Sequence, residues 1–294
     1  MKVAVIGMGS NSLRMLISEI NGQDITLIKR YREGLRIFAS LNESNNISEE
    51  MIDLSIQKVN EFIVYAKEME VTHIHIFATS AVRDATNQHY FCNTIFNKTG
   101  ILPTVIDGNT EAYYSFLGAT NSKQAGMIDI GGGSTEIATG HARLIDFSHS
   151  IQLGAVRLHR MQSIATLEDI PLALSICNSI TSELIPTIPF APIWFGVGGT
   201  FTASAAYIQR IPLHTANKIH GFILTKSQLE QAIYELTPMP LEKRLQLPYL
   251  QPKRADIIVH GMVILLSLLQ SINLNEITVS ERGNLEGYTI ANYL

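Results

Sequence analysis

The sequence is short of the features that mark several classes of protein. Its only two cysteines, Cys92 and Cys177, lie far apart and lack the spacing of metal ligands. This argues against a disulfide scaffold or a zinc site and favours a reducing, cytoplasmic setting. The most apolar run, residues 257–269, is interrupted by His260 and Gly261. It is also shorter than the roughly 18–20 residues of a membrane span, so no membrane segment is expected.

Charge and low-complexity sequence are also scarce. Charged residues make up 16% of the 294 residues and the net charge is only −4, so no broad basic face for DNA is indicated. The apolar start of the chain is ended by Gly7 and Gly9, too early for a secretory signal. With 46% hydrophobic residues, the composition is that of a soluble globular protein with one large domain or two of ordinary size.

The most informative stretch is MIDIGGGSTEI, at residues 127–137. An apolar strand leads into three consecutive glycines, whose backbone can turn sharply and bring its N–H groups close to a phosphate. Asp129 stands before this turn and Glu136 after it, and Mg²⁺ prefers such carboxylate oxygens together with water and substrate phosphates. The plainer alternative is a glycine-rich hairpin with surface carboxylates.

The same pattern occurs earlier in the chain, in IGMGSNSLR at residues 6–14. Gly9 matches Gly131 and Ser12 matches Ser134, both at an offset of 122 residues (131 − 9 and 134 − 12). A repeat at this distance is too long for a solenoid and indicates two similar domains in tandem.

Periodicity predicts an α/β protein in which each half has the order βββαβαβα. In the first half, strands are expected at residues 3–6, 12–17, 25–30, 73–78 and 102–106, and helices at 48–66, 85–98 and 111–119. Ser48 is predicted to cap the first helix, which has acidic residues in its first turn. Residues 79–84 are predicted to form a loop.

In the second half, strands are predicted at residues 127–130, 135–139, 143–152, 193–197 and 277–280, and helices near 156–162, 172–184, 202–208, 254–272 and 285–294. Residues 209–225 and 238–252 fit no regular pattern. The predicted domains are 1–122 and 123–294, with the alternative that the closing helix 285–294 packs back on the first domain. Two domains joined by a short boundary near 121–125 would hinge over a shared central cleft.

Together these features resemble the actin/Hsp70/sugar-kinase superfold and, within it, the exopolyphosphatase/guanosine pentaphosphate phosphatase (Ppx/GppA) family. The resemblance covers nearly the whole chain and rests on five stretches in this order: residues 9–14, 78–84, 108–112, 129–136 and 196–200. Residues 254–258 and 286–287 are supporting matches. The resemblance implies an α/β fold of two tandem ribonuclease-H-like (actin-like ATPase) domains around a central cleft.

The family resemblance also implies hydrolysis of a terminal phosphoanhydride, in polyphosphate or in guanosine pentaphosphate. Glu111 matches the family's glutamate that activates the attacking water, and Asp129 and Glu136 match its carboxylate ligands for Mg²⁺ or Mn²⁺. Arg83 matches a phosphate-contacting arginine, a task that suits the guanidinium fork. Backbone or hydroxyl donors to phosphate are expected from Ser10, Asn11, Gly132, Gly133, Ser134, Gly198 and Gly199.

The sequence departs from the family pattern at two charged positions. Family members usually carry an aspartate where this chain has Gly7, which corresponds to Asp129 of the second copy, and an arginine where it has Leu285. Losing a carboxylate and a cation would weaken metal and polyanion binding if both were direct contacts. The family's paired glutamates are Thr110 and Glu111 here, which keeps the residue that matches the catalytic one. The alternative to a hydrolase is therefore a weakly active or non-catalytic sensor of guanosine polyphosphates.

Two further enzyme classes have less support. Residues 7–12, GMGSNS, approach the dinucleotide-binding fingerprint, but that motif must open a helix and residues 13–20 are better predicted as a strand. A sugar or acyl kinase would share the superfold, yet no carboxylate stands out as a sugar ligand.

The resemblance also gives expectations for the length of the substrate and for the assembly of the protein. The family often has a further C-terminal domain, and a chain that ends at Leu294 is expected to favour shorter substrates or to form the polyphosphate groove as a homodimer. The dispersed histidines lack the spacing of zinc hydrolases and are expected to be mostly structural. They include His73, His75, His214, His220 and His260.

Overall fold

The computed structural model describes residues 1–120, 124–212 and 219–294, which form two compact units. Unit 1 comprises Met1–Gly118 and Asn284–Leu294, and unit 2 comprises Ala119–Gly283. The predicted domain boundary, between residues 122 and 123, lies outside the described residues and stays a prediction, and His214 lies outside them as well.

Unit 1 is a mixed sheet with helices. Its strands are β1 (Lys2–Met8), β2 (Leu13–Asn21), β3 (Asp24–Glu33), β4 (His73–Ala78) and β5 (Thr104–Val105), and its helices before the crossing into unit 2 are α1 (Glu49–Glu68), α2 (Ser80–Arg83), α3 (Gln88–Thr99) and α4 (Gly108–Ala119). The sheet order is β3-β2-β1-β4-β5, with β1 to β3 antiparallel and β4 and β5 parallel to β1. The near-continuous apolar sequence of β1 agrees with its central, buried place in this sheet.

The helices of unit 1 follow their local signals, with one exception. Ser48 caps α1, its Oγ accepting from the N–H of Met51 at 3.3 Å, as predicted. Residues 79–84 were expected to be a loop, but Ser80–Arg83 forms the short helix α2, so this prediction is wrong there. One turn of helix carries no hydrophobic period by which it could be recognised.

Unit 2 contains a second mixed sheet. Its strands are β6 (Ala125–Ile130), β7 (Thr135–His141), β8 (Leu144–Ile151), β9 (Trp194–Val197), β10 (Ile223–Thr225) and β11 (Glu276–Val279), and its helices are α5 (Ala155–Met161), α6 (Ile170–Thr181), α7 (Gly199–Ile208), α8 (Lys226–Leu236), α9 (Leu241–Arg244) and α10 (Ile258–Ser271). The sheet order is β10-β11-β9-β6-β7-β8. Helix α10 is almost completely buried and packs against α6 and α8 at the centre of this unit.

The order of elements in unit 2 differs from the predicted βββαβαβα. Two helices separate β8 from β9, and α7, β10, α8, α9 and α10 all separate β9 from β11. The unpredicted elements are β10, α8 and α9. Strand β10 and helix α9 lie in the two stretches that showed no regular pattern, and α8 lies between those stretches. Helix α6 starts at Ile170 rather than at residue 172, because Pro171 is tolerated in a first helical turn.

The two units repeat each other in detail. In each, the first three strands form an antiparallel meander, and a β-bulge interrupts the pairing of the second and third strands. The bulges lie between Ile17 and Ser18 and between Thr139 and Gly140. Their offset is again 122 residues (139 − 17), which extends the sequence repeat to the irregularities of the sheet.

The closing helix, α11 (Asn284–Tyr293), belongs to unit 1. Leu285 joins the apolar cluster of β1 and β4, and Glu286 pairs with Arg30 of β3 at 2.7 Å. Gly287 allows the closest approach, since a Cβ there would collide with the carbonyl oxygen of Tyr114 in α4. None of the helices within the described ranges is long and apolar enough to cross a membrane.

Candidate active site

The two glycine turns predicted to cradle phosphate have the same geometry. The N–H of Gly9 donates to the carbonyl oxygen of Ser12 at 3.0 Å, and that of Gly131 donates to Ser134 at 2.9 Å. A Cβ on either glycine would lie 3.1 Å from the same carbonyl oxygen. A larger first residue would force this carbonyl oxygen to move by a few tenths of an ångström, so glycine suits both tight turns.

In both turns, neighbouring segments of the chain donate hydrogen bonds to the backbone carbonyl groups. The oxygens of Ser10 and Asn11 accept from the N–H groups of Phe38 and Arg36, at 2.9 and 3.1 Å. Likewise, the oxygens of Gly131 and Gly132 accept from the first residues of α5, and Arg157 Nε donates to the oxygen of Gly133 at 2.7 Å.

Both turns also contain backbone N–H groups that have no acceptor in the part of the chain that the structure describes. Within the described residues, the N–H groups of Ser10, Asn11, Gly132 and Gly133 donate to no acceptor. Ser10 and Asn11 are buried, as are Gly132, Gly133 and Ser134. Each unit therefore carries a turn that can donate hydrogen bonds to the oxygens of a phosphate.

Next to the second turn, an acidic row crosses three strands of unit 2. Asp129 of β6 pairs in register with Glu136 of β7, which pairs with Ser150 of β8. Side chains directly opposite each other in antiparallel strands lie on one face of the sheet. Both carboxylates are buried, and Ser150 Oγ donates to Glu136 Oε1 at 2.8 Å.

The acidic row fits a hard divalent cation. Like charges directly opposite each other in a sheet repel, and a cation would relieve that repulsion. In the described part of the chain, no three His, Cys, Asp or Glu side chains form a group that could hold a metal by themselves. Mg²⁺ typically needs only one or two protein carboxylates, because water and substrate phosphates complete its shell. Asp129 and Glu136 supply that donor set.

The equivalent row of unit 1 has the opposite charge. Gly7 of β1 pairs with Arg14 of β2, which pairs with Arg32 of β3. Gly7 and Arg14 correspond to Asp129 and Glu136 at the repeat offset of 122 residues (129 − 7 and 136 − 14). The repeat thus carries a basic row in one unit and an acidic row in the other.

The arginines of the basic row have neutral partners. Arg14 Nη2 donates to Asn284 Oδ1 at 3.1 Å, and Arg32 donates to Ser12 Oγ from Nε and Nη2 at 3.3 and 3.2 Å. Within the described residues, neither guanidinium forms an ion pair with a carboxylate. Two adjacent cations with neutral partners, next to a turn that presents N–H donors, make a site suited to an anion.

Glu111 and Arg83 form a partly buried ion pair in unit 1. Arg83 Nη1 donates to Glu111 Oε2 at 3.1 Å and to the carbonyl oxygen of Ile106 at 3.0 Å. Glu111 is 7% exposed and lies in the first turn of α4. Asp107 caps this helix, because its Oδ1 accepts from the N–H of Thr110 at 2.7 Å. That hydrogen bond lowers the pKa of Asp107. Arg83 Nη2 is buried and has no hydrogen-bond partner among the described residues, so it remains available as a donor.

The third glycine turn, at the start of α7, lies against the acidic row. Gly198 has φ +93° and ψ −179°, a conformation essentially restricted to glycine, and a Cβ there would lie 2.5 Å from Asp129 Oδ1. The guanidinium of Arg254 lies against Gly199, where a Cβ would collide with it. In unit 2 the structure therefore brings together Asp129, Glu136, Gly198 and Gly199, all predicted from the sequence.

The two departures from the family pattern, Gly7 and Leu285, touch each other. A Cβ on Gly7 would lie 3.0 Å from Leu285 Cδ2 and 3.2 Å from Phe77 Cζ. The space that a larger residue at position 7 would need is thus filled by apolar side chains.

Arg14, Arg32 and Ser150 were not predicted from the sequence. Arg14 lies within the repeated motif of residues 6–14 and could have been found, since the tight turn at Gly9 fixes its pairing with Gly7. Arg32 and Ser150 lie on third strands, where no motif marks them.

Comparison with known proteins finds relatives of nearly the whole chain. The model of the Ppx/GppA phosphatase family matches residues 16–293. Exopolyphosphatase 2 of Mycobacterium tuberculosis is 27% identical over 99% of this chain and 98% of its own length. The bifunctional 3-dehydroquinate synthase/phosphatase of Fusobacterium nucleatum is 30% identical over 97% of this chain, and the chain spans 45% of that relative's length.

Solved structures of the same family also resemble this chain. The PPX-GPPA enzyme of Aquifex aeolicus superposes with a TM-score of 0.85 at 26% identity, over 99% of both chains. The family resemblance and the mixed α/β class with two actin-like domains, both expected from the sequence, are thereby confirmed.

Proposed function

The chain belongs to the Ppx/GppA phosphatase family, and we propose that it is a phosphoanhydride hydrolase that releases terminal phosphate from inorganic polyphosphate, guanosine pentaphosphate or both. Relatives described as exopolyphosphatase and phosphatase support this proposal. The observation that carries it is the Glu111–Arg83 pair, because hydrolysis, unlike binding alone, needs a base for water.

In this proposal Glu111 is the general base. Its carboxylate accepts a proton from water while the water oxygen bonds to the terminal phosphorus and the bond from phosphorus to the bridging oxygen breaks. The products are inorganic phosphate and a substrate shortened by one phosphoryl group. Arg83 supports this role because its Nη1 holds one carboxylate oxygen of Glu111 in place.

The chain offers several donors for the negative charge of the substrate. In unit 2 these are the N–H groups of Gly132 and Gly133, and in unit 1 those of Ser10 and Asn11. We propose that these turns, with Ser134, Gly198 and Gly199, bind phosphate oxygens. The Nη2 atom of Arg83 and the guanidinium groups of Arg14 and Arg32 are further donors, and charge-assisted hydrogen bonds of this kind are the strong ones.

Asp129 and Glu136 would hold Mg²⁺ or Mn²⁺. When bound, such an ion neutralises charge that develops on the transferred phosphoryl group. The contribution of the chain itself is the fixed pair of buried carboxylates, aligned by the register of β6 and β7.

The test is phosphate release in the presence of Mg²⁺ from tripolyphosphate, long-chain polyphosphate and guanosine pentaphosphate, by the wild type and Glu111→Gln. We expect kcat to fall about 10²–10⁴-fold in the variant, the usual contribution of a general base. Glu286→Gln is a matched control, because Glu286 is equally buried, lies in the first turn of its helix and pairs with an arginine. Equal activity of Glu111→Gln and wild type would refute the assignment of the base.

A second candidate is a non-catalytic sensor of guanosine polyphosphates. The observation in its favour is the apolar contact between Gly7 and Leu285, two positions where the family pattern predicts charge. Binding of a guanosine polyphosphate without release of phosphate from any of the three substrates would establish this alternative.

The ranking of the three substrates in the same assay decides between polyphosphate and the guanosine compound. We further propose that the protein acts in the cytoplasm, as a homodimer. Its mass by light scattering, measured with and without polyphosphate, tests the dimer. A monomer that prefers very long chains would contradict it.

A further inference from the structure

Glu136 has a neighbour on each side in the sheet. Asp129 of β6 and Ser150 of β8 are its register partners, so the three side chains form one row on one face. The neighbour on one side repels the charge of Glu136, and the neighbour on the other can stabilise it.

Ser150 makes the stabilising contact. Its Oγ donates to Glu136 Oε1 at 2.8 Å, a hydrogen bond to a side chain that is only 1% exposed. A hydroxyl can donate only one hydrogen bond, and Ser150 donates it to the carboxylate of Glu136. A hydrogen bond to an ionised acceptor is stronger than one between neutral groups.

We propose that Ser150 is a positioning residue for metal binding, which acts by holding the carboxylate of Glu136 in a single orientation. The proposal rests on the metal-binding role proposed above for Asp129 and Glu136. Hydrogen-bond partners of metal ligands commonly contribute 10–100-fold to metal affinity. Nothing in the local sequence marks this serine, and its role follows only from its register.

The same strand offers a matched control. Ser148 lies two residues before Ser150, hence on the same face of β8, but it pairs with Ala138 instead of a carboxylate. Replacing either serine removes the same hydroxyl from the same strand and face. Only the change at Ser150 removes a donor to Glu136.

The experiment is a Mn²⁺ titration followed by electron paramagnetic resonance, without substrate, on the wild type, Ser150→Ala, Ser150→Thr, Ser148→Ala and Glu136→Gln. We expect Ser150→Ala to raise the Kd about 10–100-fold. Ser150→Thr, which keeps the hydroxyl, and Ser148→Ala should match the wild type. Glu136→Gln should raise the Kd at least as much as Ser150→Ala. Thermal unfolding of each variant checks that the fold is retained.

Phosphate release gives a second readout. Ser150→Ala should need about 10–100-fold more Mg²⁺ for half-maximal rate, with kcat at saturating Mg²⁺ close to that of the wild type. A Mn²⁺ affinity of Ser150→Ala equal to that of the wild type overturns the inference. A wild type that binds no Mn²⁺ overturns it as well. The same holds for a Glu136→Gln variant that binds Mn²⁺ as tightly as the wild type. If the wild type binds Mn²⁺ through Ser150 and Glu136 but releases no phosphate, the inference holds and the proposed hydrolase fails.

Discussion

Acidification should destabilise unit 2 through His260. This side chain is 2% exposed in α10, where its Nε2 bonds to the carbonyl oxygen of Gln162 at 3.0 Å and its ring meets His159 edge to face. Burial, followed by the neighbouring charge of His159, lowers the pKa of His260 to about 4. Arg244 adds a smaller lowering effect on that pKa, and Asp256 a smaller raising one.

The sign of the effect follows from proton uptake. Histidine in an unfolded chain has a pKa of about 6.5, so between pH 6.5 and 4 the unfolded state binds a proton that folded His260 does not. Stability from this group is complete above pH 6.5 and declines as the pH falls toward 4. With these two pKa values, the free energy of unfolding should drop by about 2 kcal/mol between pH 7.5 and 5.

The assay is urea unfolding at both pH values, monitored by the fluorescence of Trp194, the single tryptophan, which lies in unit 2. The variant His260→Gln cannot titrate, so the wild type should lose about 2 kcal/mol more than the variant on acidification. Comparing the two cancels the contributions of carboxylates, which titrate in both proteins. An equal loss in wild type and variant would show that His260 takes up its proton while folded, and would refute the reasoning.

Two further predictions concern the binding turns and the basic row. Arg32→Gln should raise KM for the phosphate substrate about 10–100-fold with a smaller change in kcat, the scale of a hydrogen bond to a charged group. Arg143→Gln, at an exposed arginine in the turn between β7 and β8, is the control, and an unchanged KM in Arg32→Gln would exclude a substrate contact. Gly198→Ala should lower the free energy of unfolding by several kcal/mol, since it adds a clash with Asp129 Oδ1 to backbone strain of about 1–3 kcal/mol. Gly221→Ala, also at positive φ but with no atom within 4 Å of the new Cβ, should show the backbone cost alone in thermal unfolding, and equal losses would contradict the clash.

What the sequence could predict depends on how local the signal is. The cap of α1 at Ser48 and the glycine turns at Gly9 and Gly131 are set by a few consecutive residues, and the structure contains all three. The duplication of the glycine turns at a fixed offset also supported the prediction of the fold and of the family. The short elements α2 and β10 were missed because they extend over three or four residues, too few for a hydrophobic period.

The membership of the acidic and basic rows depends on β-bulges, which the hydrophobic pattern of the sequence does not reveal. Counting from the turn pair Asn21–Asp24 places Tyr31 opposite Arg14, but the bulge at Ile17 shifts the register by one and brings Arg32 there. In unit 2, counting from His141–Leu144 places His149 opposite Glu136, and the bulge at Thr139 brings Ser150 there instead. A shift of one residue exchanges the two faces of a strand, so neither Arg32 nor Ser150 could be assigned without the structure.

The structure also changes what Gly7 and Leu285 mean. Taken singly, they are two losses of charge near a proposed active site. In the structure they are one feature of unit 1, because Leu285 fills the space beside Gly7, and the row that contains Gly7 is the basic one. The acidic row of unit 2 keeps Asp129 and Glu136.

The groups that the proposed chemistry needs also keep their partners. Glu111 is held by Arg83 and Glu136 by Ser150, at 3.1 and 2.8 Å. The proposed base and the proposed metal ligand Glu136 therefore remain positioned, and we expect the differences at Gly7 and Leu285 to affect how tightly unit 1 binds a polyanion. A change of that kind raises KM and leaves the chemical step in place, which favours a hydrolase of altered substrate affinity over a sensor that has lost catalysis.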